Sequence, residues 1–485
     1  MKKKEKIIYN ITIYYTLLLI FSTRWILDSY NNASFEQILF HIKEPIKGVE
    51  KTLVKSYIME CIILTTIEFI IIIYIINKIL NLIKSVKKYK IFKKIILIIT
   101  MISTCLSLYK VGMFEYLING SKNSTFIEEN YVDPQKVYIE FTTEKRNLIY
   151  IYVESFESTY LNKEQGGQQN ANLIPEMYEL LKENITFSDT EKMGGAFEIN
   201  GTSWTAAALV AQTSGIPLKM SKVLTNEATL NNYLNNVYSL GEILEKEGYN
   251  QTIMFGSDSN FGNRKNYFEH NGNYKVYDYY SAIKDSRIPN DYYVWWGYED
   301  SKLLNYAKEE LINLSKKDKP FNLTFLTSNT HHIDGYLEND CPQKYKSKYA
   351  NVITCTSYQI NEFIKWCKKQ DFYENTTIII VGDHLSMDPK FFAFTNNEKR
   401  RIFNVFINSA VTTTNLKNRQ FSSLDMFPTT LASLGATIDG NRLALGTNLF
   451  SEEKTIIEKY GLEKVNKEIS QKSNFYNKKI LGYDK

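Results

Sequence analysis

Three β-prone apolar runs in this 485-residue chain each end in residues that can bind a metal or move a proton. The run 147–153 (NLIYIYV) leads into Glu154. The run 321–326 (FNLTFL) leads through TSNT into His331 and His332, and 376–381 (TTIIIV) leads into Gly382, Asp383 and His384. Continuous apolar runs of this length read as strands buried on both faces. Carboxylates with an imidazole suit Mn²⁺, Mg²⁺ or Zn²⁺ rather than a thiol-loving ion. A fourth stretch, 194–218 (GGAFEINGTSWTAAALVAQTSGIPL), opens loose and glycine-containing. It turns into good helix formers from Thr205 and stops at Ser214-Gly215 with Pro217 just beyond. Unpaired N–H groups at a helix start suit a phosphate. A hydroxyl there can become a nucleophile when a metal or base lowers its pKa, although Ser or Thr in that place is commonly only a cap. An Asp-His pair after one strand reads as a turn. Three such strand ends together with the hydroxyl read as a site.

The elements that must position these residues alternate in type. Strand patterns at 147–153, 251–255, 321–326 and 376–381 are interleaved with helical patterns near 174–184, 230–247, 300–316 and 347–369. This order predicts an α/β domain with a mostly parallel sheet flanked by helices. In open sheets of that kind ligands sit beyond the carboxyl ends of the strands, so the fold brings the three polar strand ends to one edge.

Ahead of this domain the composition changes. Residues 1–113 carry 17 Lys/Arg against 7 Asp/Glu, while the rest of the chain carries 41 against 46. The basic excess therefore belongs to membrane flanks, and no nucleic-acid partner is expected. Apolar segments at 7–21, 58–77 and 95–109 predict about three transmembrane helices, the first and third reaching full span only if their polar flanks snorkel. Lys2, Lys3, Lys4 and Lys6 precede the first, and Lys84, Lys87, Lys88, Lys90, Lys93 and Lys94 link the second to the third. The positive-inside rule puts both clusters in the cytoplasm and everything after about residue 113 outside the cell membrane. Glu68 falls inside the second segment, where a carboxylate points either to function or to a buried hydrogen bond with a neighbouring helix. The expected organisation is a membrane region over 1–113, a linker over 114–145, an extracytoplasmic domain over 146–450 and a polar tail over 451–485. That tail reads as a solvated helix with a frayed end. Cys341 and Cys355 can form a disulfide in an oxidising location, leaving Cys367 over, and no C-x-x-C pair is present.

Five motifs carry a family resemblance: 150–156 (YIYVESF), 201–218 (GTSWTAAALVAQTSGIPL), 330–336 (THHIDGY), 381–387 (VGDHLSM) and 423–450 (SLDMFPTTLASLGATIDGNRLALGTNLF). In this order they resemble the sulfatase/alkaline-phosphatase superfamily over roughly 145–450, specifically its membrane-anchored phosphoglycerol transferases. The branch that decorates osmoregulated periplasmic glucans is the more similar, and lipoteichoic acid synthases are more distant. The resemblance implies one divalent metal, Mn²⁺ with Mg²⁺ or Zn²⁺ as alternatives, held by Glu154, Asp383, His384 and a nucleophilic Thr. Family nucleophiles stand ten residues before a helix-closing Gly, and Gly215 lies ten after Thr205. Thr205 is therefore the expected nucleophile and Thr202 the fallback. Arg264, in FGNR, is implied as a phosphate or glycerol contact, and His331 as the residue touching the phosphate or leaving oxygen, with His332 beside it. Trp296-Gly297 matches a family pair expected to pack. Ile333 departs from the Pro of many relatives.

The implied reaction passes phosphoglycerol from phosphatidylglycerol to a hydroxyl of an envelope glycan or polyol-phosphate polymer through a phospho-threonine. Phosphoethanolamine transfer is an alternative, although this nucleophile loop lacks the flanking cysteines of such enzymes. A sulfatase or phosphodiesterase is another, but Ala207 and Leu209 stand where a sulfatase frame would have Pro and Arg. A non-catalytic relative would have lost one of Glu154, Thr205, Asp383 or His384, and all four are present.

Overall fold

The computed structural model describes residues 3–30, 33–43, 48–219, 234 and 236–482. They form two compact units, Met1–Ile38 with Val49–Asn119 and Leu39–Gly48 with Gly120–Lys485. In the first unit, α1 (Lys3–Ser29), α3 (Lys51–Leu82, with a π turn at Ile58–Ile63) and α4 (Val86–Lys110) are long and apolar enough to cross a membrane. Each outruns its apolar segment because the polar flanks continue the helix. The shortest, α4, has 25 residues, and at 1.5 Å per residue it reaches roughly 38 Å, beyond a hydrocarbon core of about 30 Å. Tyr9, Ile13 and Ile76 pack between the helices, and polar side chains join them: Thr16 to Thr104 at 3.2 Å and Trp25 Nε1 to Ser56 Oγ at 2.9 Å. Ile70, Ile98 and Met101 are exposed, an apolar surface of the kind that lipid would cover. Glu68 is exposed on α3 rather than buried against a neighbouring described helix. Between α1 and α3 lies the short α2 (Phe35–Lys43).

The second unit is built on a six-stranded sheet. Its strands are β1 (Asn147–Val153), β2 (Asn250–Phe255), β3 (Lys275–Tyr277), β4 (Phe321–Leu326), β5 (Thr376–Gly382) and β6 (Asn404–Ile407), in the order β3-β2-β4-β1-β5-β6. All neighbours are parallel except the antiparallel β5–β6 edge. The sheet is thus mostly parallel, with one reversed edge strand. Alternation along β1 divides the core. Ile149, Ile151 and Val153 join the cluster formed with Met177, Leu180 and Leu181 of α5 (Pro175–Glu183), with Leu303, Leu304 and Leu311 of α9 (Asp300–Ser315), and with Ile360, Phe363 and Ile364 of α10 (Lys348–Cys367). Tyr150 faces the other way and donates to Gln212 Oε1, at 3.0 Å, on α6 (Thr205–Ser214). Of the helix expected over 230–247, Leu240–Lys246 (α7) is present, started by a Ser239/Glu242 capping box. Residues 230–233 and 235 lie outside the described residues.

Both ends of this unit are more ordered than their polar composition suggests. In the expected linker, Ile139–Glu140 pairs with Thr437–Ile438, and Ser124 N donates to Lys472 O at 2.8 Å. After Phe450 the chain forms α11 (Ile456–Tyr460), α12 (Leu462–Ser470) and a π turn at Tyr476–Ile480, and buries Val465, Ile469, Tyr476 and Ile480. Val465 and Ile469 stand four residues apart on one helix face, which gives an otherwise charged helix an apolar seam. The described tail is therefore packed rather than frayed. It holds the chain on either side of α6: Asn200 N donates to Asn466 Oδ1 at 2.9 Å, and Tyr476 Oη donates to Pro217 O at 2.7 Å. The Cys341–Cys355 disulfide is formed, with 5.5 Å between the Cα atoms, and Cys367 is free and buried.

Candidate active site

The register of the central strands decides which side chains meet. Val153 of β1 sits opposite Gly382 of β5, so the next residues, Glu154 and Asp383, emerge side by side at the carboxyl edge. The chain turns at Ser155, which adopts φ 53°. Ser155 N then donates to Asp383 Oδ1 at 2.8 Å, and Ser155 Oγ donates to Glu154 Oε1 at 2.7 Å. On the other flank, Glu154 N donates to Thr327 Oγ1, at 3.1 Å, just past β4. His384 N also donates to Asp383 Oδ1, at 2.8 Å. Glu154, Asp383 and His384 are at most 2% exposed.

His384 Nδ1 lies 2.9 Å from Leu385 O. A carbonyl only accepts, so Nδ1 carries a proton and Nε2 is the atom turned to the cluster. Nε2 lies 3.5 Å from Glu154 Oε1, 3.4 Å from Asp383 Oδ2 and 3.4 Å from Thr205 Oγ1. Thr205 Oγ1 is in turn 3.3 Å from Glu154 Oε2. Thr205 is the first residue of α6. The N-cap is Trp204, which contributes no side-chain cap, so the Thr205 hydroxyl is not consumed in capping. Thr202 is placed differently: its hydroxyl donates to Ile199 O at 2.8 Å and accepts from Ile199 N at 3.1 Å, closing a local turn.

The electrostatics of the cluster ask for a cation. Burial, then the neighbouring Glu154 carboxylate, pushes the Asp383 pKa up to about 7. Burial lowers the His384 pKa, but Asp383, Glu154 and Glu198 outweigh it and raise it to about 9. Two adjacent buried carboxylates draw positive charge to themselves, as a proton on the imidazole or as a metal. Asp383 Oδ2 is buried with no hydrogen-bond donor among the described residues. One ligand atom each from Glu154, Asp383 and His384 lies within 4.8 Å of the others. An oxygen-rich set with one imidazole, and one unclaimed carboxylate oxygen, fits a divalent cation.

A supporting layer holds these groups and was not singled out by the sequence reading. Gln212, one helix face below Thr205, donates to Gly382 O at 3.0 Å and to Asp383 O at 3.3 Å, tying α6 to the end of β5. Arg400 makes a two-pronged pair with buried Glu157. Glu157 accepts from Ser386 N at 3.0 Å, and Arg400 donates to Ser386 O at 2.6 Å. Glu198 accepts from Leu385 N at 2.9 Å. Glu157 and Glu198 lie beside motifs already recognised, but which backbone amide each meets is set by folding across more than 180 residues.

Around this floor runs a rim of rings. Arg264 opens α8 (Arg264–His270) and is 7% exposed. It donates to Phe261 O (2.8 Å), Ser257 Oγ (3.1 Å) and Asp258 O (2.6 Å), with its guanidinium over the Phe255 ring. It therefore fixes its own loop. That loop lies against α6: Gly262 has φ 67°, and a Cβ there would stand 3.3 Å from Ala206 Cβ. Trp296 packs 5.6 Å from Phe261 and 4.6 Å from His331, ring centre to ring centre. His331 stacks on His332 at 4.7 Å. His332 is buried, and burial followed by the charges of His331, His384 and His41 holds its pKa well below the ordinary value. The structure thus gathers Glu154, Thr205, Asp383 and His384 into one cluster. It sets Arg264, His331 and His332 in the flanking loops and keeps Thr202 apart in its turn.

This sheet and site define a class. A model of the sulfatase family matches residues 146–436, and the chain belongs to that family. Among particular relatives, phosphoglycerol transferase I of Salmonella choleraesuis is 29% identical over 279 residues, covering 56% of this chain. The Escherichia coli protein of the same name is 28% identical over 279 residues. The chain spans 34% of the length of these relatives. The fold is shared with lipoteichoic acid synthase LtaP of Listeria monocytogenes, with TM-score 0.50, 19% identity and coverage of 68% of this chain and 82% of that one. It is shared also with lipooligosaccharide phosphoethanolamine transferase A of Neisseria meningitidis, with TM-score 0.50, 14% identity and coverage of 88% and 84%.

Proposed function

We propose that the protein is a membrane-anchored phosphotransferase that moves phosphoglycerol from phosphatidylglycerol to a hydroxyl of a cell-envelope glycan or glycerol polymer, with Thr205 as the covalent carrier. The observation that carries the reading is Thr205 Oγ1 at the start of α6, 3.3 Å from Glu154 and 3.4 Å from His384. The 29% identity to phosphoglycerol transferase I favours phosphoglycerol as the group moved. In this reading the apolar helices anchor the chain in the cell membrane as a multi-pass protein, with the second unit outside the cytoplasm near the lipid surface. Such tethering raises the effective concentration of donor.

In the first half-reaction Thr205 Oγ releases its proton to solvent and attacks the phosphorus of the head group, and the bond from phosphorus to the diacylglycerol oxygen breaks. The leaving oxygen takes a proton, for which His331 is the proposed donor. Phosphoglycerol stays esterified to Thr205, its phosphoryl oxygens facing the free N–H groups of the first turn of α6. In the second half-reaction an acceptor hydroxyl gives its proton to His331 and attacks the same phosphorus, and the Thr205 oxygen leaves and takes a proton back from solvent. Arg264 and His332 are proposed to shape the phosphate and glycerol side of the cleft, Arg264 through the loop it braces. A divalent cation bound by Glu154, Asp383, His384 and Thr205, Mn²⁺ in this proposal, would lower the pKa of the Thr205 hydroxyl and draw charge from the phosphoryl oxygens.

The test incubates the full-length protein and Mn²⁺ with phosphatidylglycerol or phosphatidylethanolamine, without acceptor. It measures diacylglycerol release and maps adducts by peptide mass spectrometry. Glycerophosphate on Thr205, absent from Thr205→Ala, is the expected result. Ethanolamine phosphate on Thr205 would move the protein to the sister activity, and no turnover of either lipid would overturn the transferase reading.

A further inference from the structure

One imidazole at the rim comes from a part of the chain far from every motif. His41 lies near the end of α2, in the segment Leu39–Gly48 that folds with the second unit. Two ring contacts fix the segment there. Phe40 is 4% exposed and packs 5.6 Å from Trp204, the residue before Thr205. His41 stacks on Phe261 with ring centres 6.0 Å apart and planes 16° from parallel. Gly48 follows against the same loop, where a Cβ would stand 3.4 Å from Phe261 Cβ. The rings of Phe40, His41, Phe261, Trp296 and His331 therefore follow one another from the start of α6 around the cleft.

His41 is the polar member on that side, and its side chain is exposed while its neighbours are anchored. An ordinary imidazole pKa of about 6.5 already leaves it mostly uncharged at neutral pH; although solvent reaches it, the protein packed around the cleft, then the nearby charges of His331 and His384, lower that pKa further. A neutral imidazole offers one donor and one acceptor. That pair complements vicinal hydroxyls, each of which both donates and accepts, and does nothing to neutralise a phosphate.

We propose that His41 is a substrate-contacting residue, hydrogen-bonding the polyol end of the phospholipid head group beside the Phe261–Arg264 loop. The inference rests on the phosphoglycerol-transfer reading and gives the segment between α1 and α3 a direct part in donor selection. The test uses full-length protein in mixed micelles with Mn²⁺ and compares phosphatidylglycerol with bis(p-nitrophenyl) phosphate, a diester that has no hydroxyls. In His41→Ala, KM for phosphatidylglycerol should rise about tenfold, the scale of one lost hydrogen bond. Its kcat should hold and cleavage of the chromogenic diester should not change. His41→Gln, which keeps a donor and an acceptor, should recover part of the KM. Equal losses on both substrates would mean that His41 only packs, and unchanged KM would mean that it touches nothing; either overturns the proposal. Wild-type protein that cleaves the chromogenic diester but not phosphatidylglycerol would overturn the donor reading itself, and the head-group role with it.

Discussion

The floor of the cleft and its rim are held by different means. Three floor residues are fixed by hydrogen bonds at the strand ends: Asp383 Oδ1 accepts from Ser155 N and His384 N, Glu154 N donates to Thr327 Oγ1, and His384 Nδ1 donates to Leu385 O. These partners follow from strand register, which places them within one to three residues of a β1, β4 or β5 end. The rim is held by ring against ring, Phe261 on Trp296 and Trp296 on His331, on loops that leave the sheet. Hydrogen bonds fix direction to a fraction of an ångström, whereas aromatic contacts tolerate several geometries. The floor is thus suited to chemistry that every substrate shares, and the rim to differences between substrates.

The largest expected effect tests the floor. Thr205→Ala should lower phospholipid turnover by about a thousandfold or more while leaving the unfolding temperature unchanged, because Thr205 caps nothing. Thr202→Ala should do the reverse. It removes the Ile199 bonds and costs about 1 kcal/mol of stability, with turnover retained. Turnover assays paired with thermal unfolding of both variants separate the two, and a dead but equally stable Thr202→Ala would transfer the nucleophile to Thr202.

A smaller effect tests whether the floor is held as described. Gln212→Leu strips donors from Gly382 O and Asp383 O and an acceptor from the Tyr150 hydroxyl, all buried. Groups left unsatisfied in the interior cost about 1–3 kcal/mol each before relaxation, so a loss of about 2–4 kcal/mol is expected. Turnover should fall too, since α6 and β5 are no longer tied. Denaturant unfolding followed by aromatic fluorescence reads the first and diacylglycerol release the second. Full stability in Gln212→Leu would mean that register alone places Asp383.

How far the molecule is legible in its sequence follows the same division. The strand ends were legible because Glu154 and Asp383-His384 are contiguous with apolar runs, and a parallel sheet brings carboxyl ends to one edge. The position of Thr205 at the start of α6 was expected from the resemblance, whose nucleophiles stand ten residues before a helix-closing Gly, and Gly215 stands at the helix C-cap in the left-handed conformation at φ 65°. The antiparallel edge β6 was not, being four residues long with no acidic or histidine residue at its end to mark it. The packing of 451–480 was hidden because two apolar residues four apart are diluted by Lys and Glu. The Glu157–Arg400 pair and the placement of His41 depend on contacts between segments hundreds of residues apart, and no local pattern encodes them.

The smallest effect examines what braces the rim. Asp300 begins α9 and accepts from Ser328 N at 2.7 Å and Asn329 N at 3.0 Å, holding the chain that runs on to His331. Burial raises its pKa from 3.8 to about 7; the two amides oppose that shift and the charge of Glu338 adds to it. A carboxyl whose folded pKa lies above its unfolded one binds its proton more tightly when folded. Its contribution is therefore complete below about pH 4 and is lost as pH rises towards 7. Asp300→Asn cannot titrate, so the stability gap between wild type and variant should narrow as pH increases across that window. Denaturant unfolding of both proteins at closely spaced pH values checks this. Asp425, also buried and raised to about 7, remains in both proteins and cancels. A gap that widened with pH would mean that the Ser328 and Asn329 amides hold Asp300 as a carboxylate. The rim would then be braced by a charge, as the floor is, and the contrast between the two would narrow to their aromatic contacts.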